Sequence, residues 1–424
     1  MTVLWMVLAL LLLLGLRVPV AWALLVPALV YVVLDGSASF QIAAQQTVSG
    51  VNTFPLLAVP LFIMLGNIAN VSGISDRLFN AATALLGHFR GSLGYVNVFT
   101  SFGFAWMSGA AISDAAALGR VQVPAMLKRN YPEGLTLGIT AGSSLIAPIL
   151  PPSIPAIIYA VTAGISVGAL FIAGIVPALL LLTVLCVTVF VSLRKRNDLR
   201  LAKASVRDQV TLSLKALPAL GAAIVVLGGI LGGIFTPTEA AGIGVVYMTV
   251  LAIFYGAMNW HNVRRVLQNT VETTGSVLII VCAAALFGWV LARERVPQLA
   301  GEFIFGLTEN PIVFLLLLNV LLFIIGAIIE PTAAILVLVP VLAPVATLYG
   351  LDPLHVGSVI IFNLMLGLLT PPVGLVLFVL SSVTDIPVSR IIRGVVPVYV
   401  PLVAVLLLIS FIPFFTTWLP GVLG

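Results

Sequence analysis

Apolar residues run along this chain in blocks of membrane-span length, without the alternation of a half-buried strand. A crossing needs about 20 apolar residues, and fewer where a helix is broken and shielded by protein. By that measure the first half predicts spans near 2–16, 19–34 and 51–70 and an amphipathic stretch near 74–89. An apolar segment at 92–127, broken in its middle, follows; then come a helix at 134–163 interrupted at 148–153 and a span at 168–193. The second half predicts the same series: spans at 212–233, 237–257 and 272–292, an amphipathic stretch at 296–308 and a broken segment at 312–348. It closes with a helix at 354–383 interrupted at 369–372 and a span at 388–414.

The two series share residues as well as order. Pro151-Pro152 followed by Gly174-Ile175-Val176-Pro177 returns 220 residues later as Pro371-Pro372 followed by Gly394-Val395-Val396-Pro397. At an offset of 216, Asp114, Ala117, Val121, Val123 and Pro124 fall on Glu330, Ala333, Val337, Val339 and Pro340. A duplicated membrane fold with matching breaks is the pattern of a secondary transporter whose sites lie where the halves meet. The expected organisation is a first repeat at 1–193, a basic linker at 194–215 and a second repeat at 216–424.

Composition agrees. With 61% hydrophobic and only 8% charged residues, the chain has too little polar surface for a soluble globule, so the expected fold class is an all-α polytopic membrane protein. The first charge is Arg17 and further spans follow, which favours a first membrane helix over a cleaved leader. If each central broken segment is a re-entrant hairpin, every repeat crosses five times and the second copy is inverted. The cluster Arg194, Lys195, Arg196, Arg200, Lys203, Arg207 and Lys215 places the linker in the cytoplasm by the positive-inside rule. Propagating from there leaves only Arg293 and Arg295 outside, so seventeen of the nineteen Lys and Arg residues fall on one side. This topology puts the hairpin at 92–127 on the cytoplasmic side, the hairpin at 312–348 on the periplasmic side, and both termini in the periplasm of a bacterial inner membrane.

A broken helix in hydrocarbon exposes backbone groups that cost several kcal/mol each unless protein, water or an ion satisfies them. Four paired breaks occur: Ser108-Gly109-Ala110-Ala111, Ser143 to Ser153, Ile329 to Thr332, and Leu369 to Gly374. Freed carbonyls and hydroxyls are hard oxygen ligands suited to Na⁺, and half-helix N-termini attract anions. The expected ion ligands are Ser108, Asp114, Gly142, Ser143, Pro151, Glu330, Thr370 and Gly374; the expected substrate-facing set is Ser108, Gly109, Ala110, Ser153, Glu330 and Thr332. Asp114 either orients the first hairpin by accepting backbone N–H bonds or sits beside a cation. Glu239, beside Pro237 at a helix start, reads as a cap. His88, His261 and His355 are spread over interfacial segments, and Trp260 to Leu267 reads as an interfacial amphipathic helix. Cys186 and Cys282 lie in apolar runs as packing residues. No P-loop, Gly-x-Ser-x-Gly elbow or His-Glu-x-x-His motif is present, so neither ATP hydrolysis by that route nor an enzyme is indicated, and nothing suggests a nucleic-acid partner.

Taken together, Gly232-Gly233-Ile234-Phe235-Thr236-Pro237-Thr238-Glu239-Ala240-Ala241, Ser113-Asp114-Ala115-Ala116-Ala117-Leu118-Gly119, Leu150-Pro151-Pro152-Ser153, Glu330-Pro331-Thr332-Ala333-Ala334-Ile335-Leu336 and Leu369-Thr370-Pro371-Pro372-Val373-Gly374-Leu375 resemble the large membrane subunit of tripartite ATP-independent periplasmic (TRAP) transporters, within the ion transporter superfamily. The resemblance implies Na⁺-driven import of an organic acid by an elevator motion. It also implies two partners besides membrane lipid: a small four-helix membrane subunit and a periplasmic substrate-binding protein. In sialic-acid members of the family the substrate is met by a hairpin-tip Ser, the Ser after the Pro-Pro pair and an acid at the second tip, which match Ser108, Ser153 and Glu330. The acid there is Asp, and the run that is often Ser-Gly-Ser-Ser there is Ser108-Gly109-Ala110-Ala111 here. The alternative is a stand-alone Na⁺-coupled dicarboxylate or citrate carrier of the same superfamily.

Overall fold

A computed structural model describes residues 2–35 and 39–423, and no strand occurs among them. The first half comprises α1 (Thr2–Gly15), α2 (Val20–Asp35), α3 (Phe40–Ser49), α4 (Ala58–Val71), α5 (Ile74–Leu86), α6 (Ser92–Ser108), α7 (Ala111–Leu127), α8 (Glu133–Ser144), α9 (Ile154–Ala163) and α10 (Val167–Leu193). The second comprises α11 (Val206–Leu231), α12 (Pro237–Phe254), α13 (Trp260–Arg293), α14 (Val296–Leu307), α15 (Pro311–Gly326), α16 (Pro331–Leu348), α17 (Pro353–Gly367), α18 (Leu375–Thr384), α19 (Val388–Phe411) and α20 (Phe414–Leu423). The run from α4 to α10 has its counterpart, element for element, in α13 to α19.

Polar residues at the edges of the apolar blocks start many of these helices. Ser166 caps α10, Ser205 caps α11 and Asn310 caps α15, each accepting from a backbone N–H in the first turn. Thr236 and Glu239 form a reciprocal capping box on α12: Thr236 Oγ1 accepts from Glu239 N, and Thr236 N donates to Glu239 Oε2 at 2.8 Å. Glu239 is therefore the cap that its sequence position suggests.

Among the described residues, seven helical segments of 18 residues or more are apolar enough to cross a membrane, and α14 and α15 form a further pair bent by 118°. Helices α1 and α2 are apolar but only 14 and 16 residues long. Three features depart from the sequence reading. The interfacial stretch at 260–267 and the span at 272–292 are one 34-residue helix, α13. No Gly or Pro separates them, and Asn67 Nδ2 donates to Thr270 Oγ1 at 3.0 Å, so the polar stretch is tied down within a regular helix. Helix α3 forms between α2 and the third span, started by Ser39. After α19 the chain breaks at Pro413, which has no N–H to give, and turns into α20 against α10.

Packing exchanges elements between the halves. Helix α7 lies on α18 and α16 lies on α9; α8 crosses α19. The α8–α19 crossing is made by glycine: a Cβ at Gly138 would stand 2.3 Å from the carbonyl oxygen of Gly394, and one at Gly394 would stand 2.7 Å from that of Gly134. Gly174, the repeat partner of Gly394, presses instead on the first interruption, where a Cβ would lie 2.3 Å from the Ile149 carbonyl. The same repeated residue thus serves two different close approaches. A second group of elements, α4, α5, α11 and α12, packs around Leu65, Ile68, Ala219 and Met248.

Candidate substrate and ion site

Both hairpin tips are pinned to the interrupted helix of their own half. At the first, α6 ends in Gly109 at φ +59, and its carbonyl accepts from Ile154 N at 3.4 Å, just past the Pro151-Pro152 interruption. A Cβ on Gly109 would sit 2.6 Å from the Pro152 carbonyl, so only glycine allows this approach. At the second, the Ala327 carbonyl accepts from Val373 N at 3.2 Å, past Pro371-Pro372, and Gly326 faces Gly367 with no room for a side chain on Gly367. Two breaks that are far apart in each repeat therefore meet twice, in equivalent fashion.

Beneath the first tip lies a column of buried polar side chains. Asp114, in the first turn of α7, is 1% exposed. Its Oδ2 accepts from Ser101 Oγ at 2.9 Å, and its Oδ1 has no partner among the described residues. Ser101 Oγ also reaches Ser143 Oγ at 3.0 Å; Ser143 donates to Asn97 Oδ1 at 2.9 Å, and Asn97 Nδ2 donates to Thr140 Oγ1 at 2.7 Å. Gln122 Nε2 closes on the Asn97 carbonyl at 3.3 Å. The hydroxyls of Ser108 and Thr100 and the Gln122 Oε1 atom are buried without partners among the described residues. A buried carboxylate with an unsatisfied oxygen, set among hydroxyl and amide oxygens, has the donor set of a monovalent cation site. Of the expected ion ligands, Ser108, Asp114 and Ser143 belong to this region.

The other expected residues take varied positions. Gly142 packs against Val398 and Leu185, and its carbonyl accepts from Leu145 N at 3.2 Å. Pro151 is buried in the first interruption. Ser153 caps α9, accepting from Ala156 N at 3.1 Å and donating to the Pro148 carbonyl, so its proton is committed to the loop. Ala110 precedes α7, and its carbonyl takes the Asp114 N–H at 3.2 Å. Glu330 caps α16 through Oε2 and Ala333 N at 3.0 Å, with buried Thr332 in the same turn. Thr370 Oγ1 is shared between the Leu366 carbonyl at 3.0 Å and Tyr399 Oη at 2.8 Å. Gly374, at φ +42, starts α18.

Sequence reading missed Asn97, Ser101, Gln122 and Thr140. Asn97, Ser101 and Ser108 sit at i, i+4 and i+11, one face of α6, and that periodicity was the available signal. The second half holds a smaller counterpart, in which Asn363 Nδ2 donates to Asn319 Oδ1 at 2.7 Å and Asn319 Nδ2 to Ser410 Oγ at 3.0 Å. His355 is buried beside it, with Nδ1 2.8 Å from Thr416 Oγ1. Asn363 is the residue that matches Ser143 at the 220-residue offset.

The sequence profile of the tripartite ATP-independent periplasmic transporter, DctM component, matches residues 7–415. The chain belongs to this family. As a DctM component it is a transporter permease with multiple transmembrane helices. It is 42% identical over 403 residues to the sialic acid TRAP transporter large permease protein SiaM of Vibrio cholerae, covering 95% of this chain and 94% of that one. It is 36% identical over 372 residues to the C4-dicarboxylate TRAP transporter large permease protein DctM of Pseudomonas aeruginosa, covering 88% and 87%. The 2,3-diketo-L-gulonate TRAP transporter large permease protein YiaN of Escherichia coli is 34% identical over 396 residues, 93% of each chain. The fold is also that of the Alcanivorax borkumensis YdaH transporter, with a TM-score of 0.61 at 17% identity over 86% of each chain.

Proposed function

We propose that this DctM component imports an organic acid by Na⁺ symport, with the ions and the carboxylate held at the paired breaks. The cargo class spans C4-dicarboxylates, keto or hydroxy acids and sugar acids, the chemistry common to the cargoes named for its relatives. The observation that carries the reading is the buried, partly unsatisfied Asp114 column below the pinned tip at Gly109. An ionised carboxylate in that setting needs a cation, and among the described residues no Lys, Arg or His side chain is bonded to it.

Charge accounting explains the need for symport. An anion entering against a membrane potential is opposed by about 2.3 kcal/mol per charge per 100 mV, and two or more Na⁺ reverse the sign for a monocarboxylate. The tip-to-break hydrogen bonds give the coupling a route: an ion beside Asp114 reinforces the joint that closes the first tip, and Glu330, at the head of α16, sets a carboxylate at the second. Elevator motion of the hairpins and interrupted helices against α4, α11, α12 and α13, in two inverted repeats joined by the 194–215 linker, completes the reading. A periplasmic binding protein delivers the acid, and a small membrane subunit extends the static body in the inner membrane. Ser153 then serves first as the α9 cap, meeting substrate only through its free lone pair.

The test is uptake into proteoliposomes holding this chain and the small subunit, with the binding protein outside. Uptake is expected to collapse when the Na⁺ gradient is removed or when either partner is withheld. Uptake that persists without the partners would favour the stand-alone carrier, and uptake indifferent to Na⁺ would end the symport reading.

A further inference from the structure

Away from the hairpin tips, three arginines converge at the mouth of an apolar cleft between α5, α6, α10 and α11. The sequence brings them there from separate places: Arg90 follows α5, Arg194 ends α10 and Arg200 lies in the linker. Backbone contacts fix the arrangement. Leu201 N donates to the Gly87 carbonyl at 2.9 Å, and Ser92 Oγ and Tyr131 Oη both donate to the Leu199 carbonyl, at 3.3 and 3.2 Å. Gly91, at φ +68, lies so close to Leu193 that a Cβ there would fall 2.7 Å from its side chain. The linker is thereby stitched across the α5–α6 turn, and Arg90, Arg194 and Arg200 line one cavity.

The mouth opens into a cavity of about 820 Å³ whose walls include Tyr95, Phe99, Leu182 and Phe190. A second cavity of about 800 Å³, walled by Phe102, Trp106 and the Ala216, Leu220 and Ala223 face of α11, shares Leu86 and Phe99 with it. No Asp or Glu lines either cavity, and none of the three arginines forms an ion pair among the described residues. Two buried polar atoms in these walls, His88 Nδ1 and Ser213 Oγ, have no hydrogen-bond partner among the described residues. A cationic mouth without counter-charge, leading into one apolar cavity and adjoining a second across Leu86 and Phe99, matches a phosphate on two acyl chains.

We infer that this cleft is a binding site for an anionic phospholipid, its headgroup phosphate held by Arg90, Arg194 and Arg200 and its chains lying along Phe99, Phe102 and Trp106. A soluble organic acid has no use for the apolar trough, and an apolar partner helix has no use for the three arginines. The inference stands apart from the transport reading, since it needs neither Na⁺ nor cargo.

Native mass spectrometry on the full chain, delipidated and titrated with phosphatidylglycerol or with phosphatidylcholine of the same acyl chains, tests it. Wild type is expected to hold one phosphatidylglycerol with a clear preference over phosphatidylcholine. The triple variant Arg90→Gln/Arg194→Gln/Arg200→Gln should lose that preference, by about fivefold per arginine, while the triple Lys variant keeps most of it. Cys186→Trp, which narrows the cleft and leaves the arginines in place, should weaken both lipids. If the triple variant fails to fold, Arg200→Gln alone should show its single share. Equal binding of the two lipids by wild type, or an unchanged preference in the Gln variants, would overturn the inference. So would wild-type lipid binding by Cys186→Trp, full displacement by inorganic phosphate, or a crosslink from Phe99→Cys to the small subunit within the cleft.

Discussion

At Gly109 two constraints coincide: a left-handed backbone and a carbonyl only 2.6 Å from where a Cβ would stand. Gly109→Ala is therefore expected to cost roughly 1–3 kcal/mol and to loosen the first tip, read as a lower thermal midpoint together with reduced uptake. Asp114 separates two roles by a different route. Asp114→Asn keeps an oxygen for the Ser101 hydroxyl while removing the charge, so it should preserve the fold and raise the Na⁺ concentration for half-maximal uptake on the order of tenfold or more. An unchanged Na⁺ dependence would leave Asp114 as a purely structural acceptor. Both acids were legible in the sequence because a carboxylate in an apolar run is rare. Asn97, Ser101, Gln122 and Thr140 were not, because neutral polar residues are common in membrane helices. Only the packing of α6, α7 and α8 decides which of them share an interior.

The elements follow from local chemistry where a breaker or cap is present. Gly109 ends α6, the Thr236–Glu239 box starts α12, and the two Pro-Pro pairs lie inside the expected interruptions, between α8 and α9 and between α17 and α18. Where no breaker stands, the polarity of residues 268–270 did not stop α13, and an apparent boundary proved to be a helix leaving the apolar region. Contacts between elements are less readable. The glycines of α8 acquire meaning only against α19, where Gly138 and Gly394 touch backbone to backbone. Gly138→Val is expected to force these helices apart by more than the side chain can absorb, which should abolish uptake and sharply lower the thermal midpoint. Gly228→Ala, at a position with open space around it, should leave both unchanged.

For the molecule as a whole, the repeated series of elements and the pairing of breaks were visible in the 220-residue register, since prolines and glycines mark the backbone directly. The exchange of α7 onto α18 and of α16 onto α9 was not visible, because apolar helix faces carry no address. That exchange packs the helix after each tip against the helix after the other half's interruption. Within the proposed mechanism, ions at the breaks and the carboxylate between them move as one load with net positive charge. The most direct measurement is simultaneous flux of radiolabelled Na⁺ and substrate into proteoliposomes containing the small subunit, with binding protein outside and the membrane potential clamped by ionophore. The account predicts Na⁺ entering with each substrate in a fixed ratio that exceeds the number of negative charges on the acid, accelerated by an inside-negative potential and requiring about tenfold more Na⁺ in Asp114→Asn. Substrate entry without accompanying Na⁺, or at a rate indifferent to the potential, would contradict it.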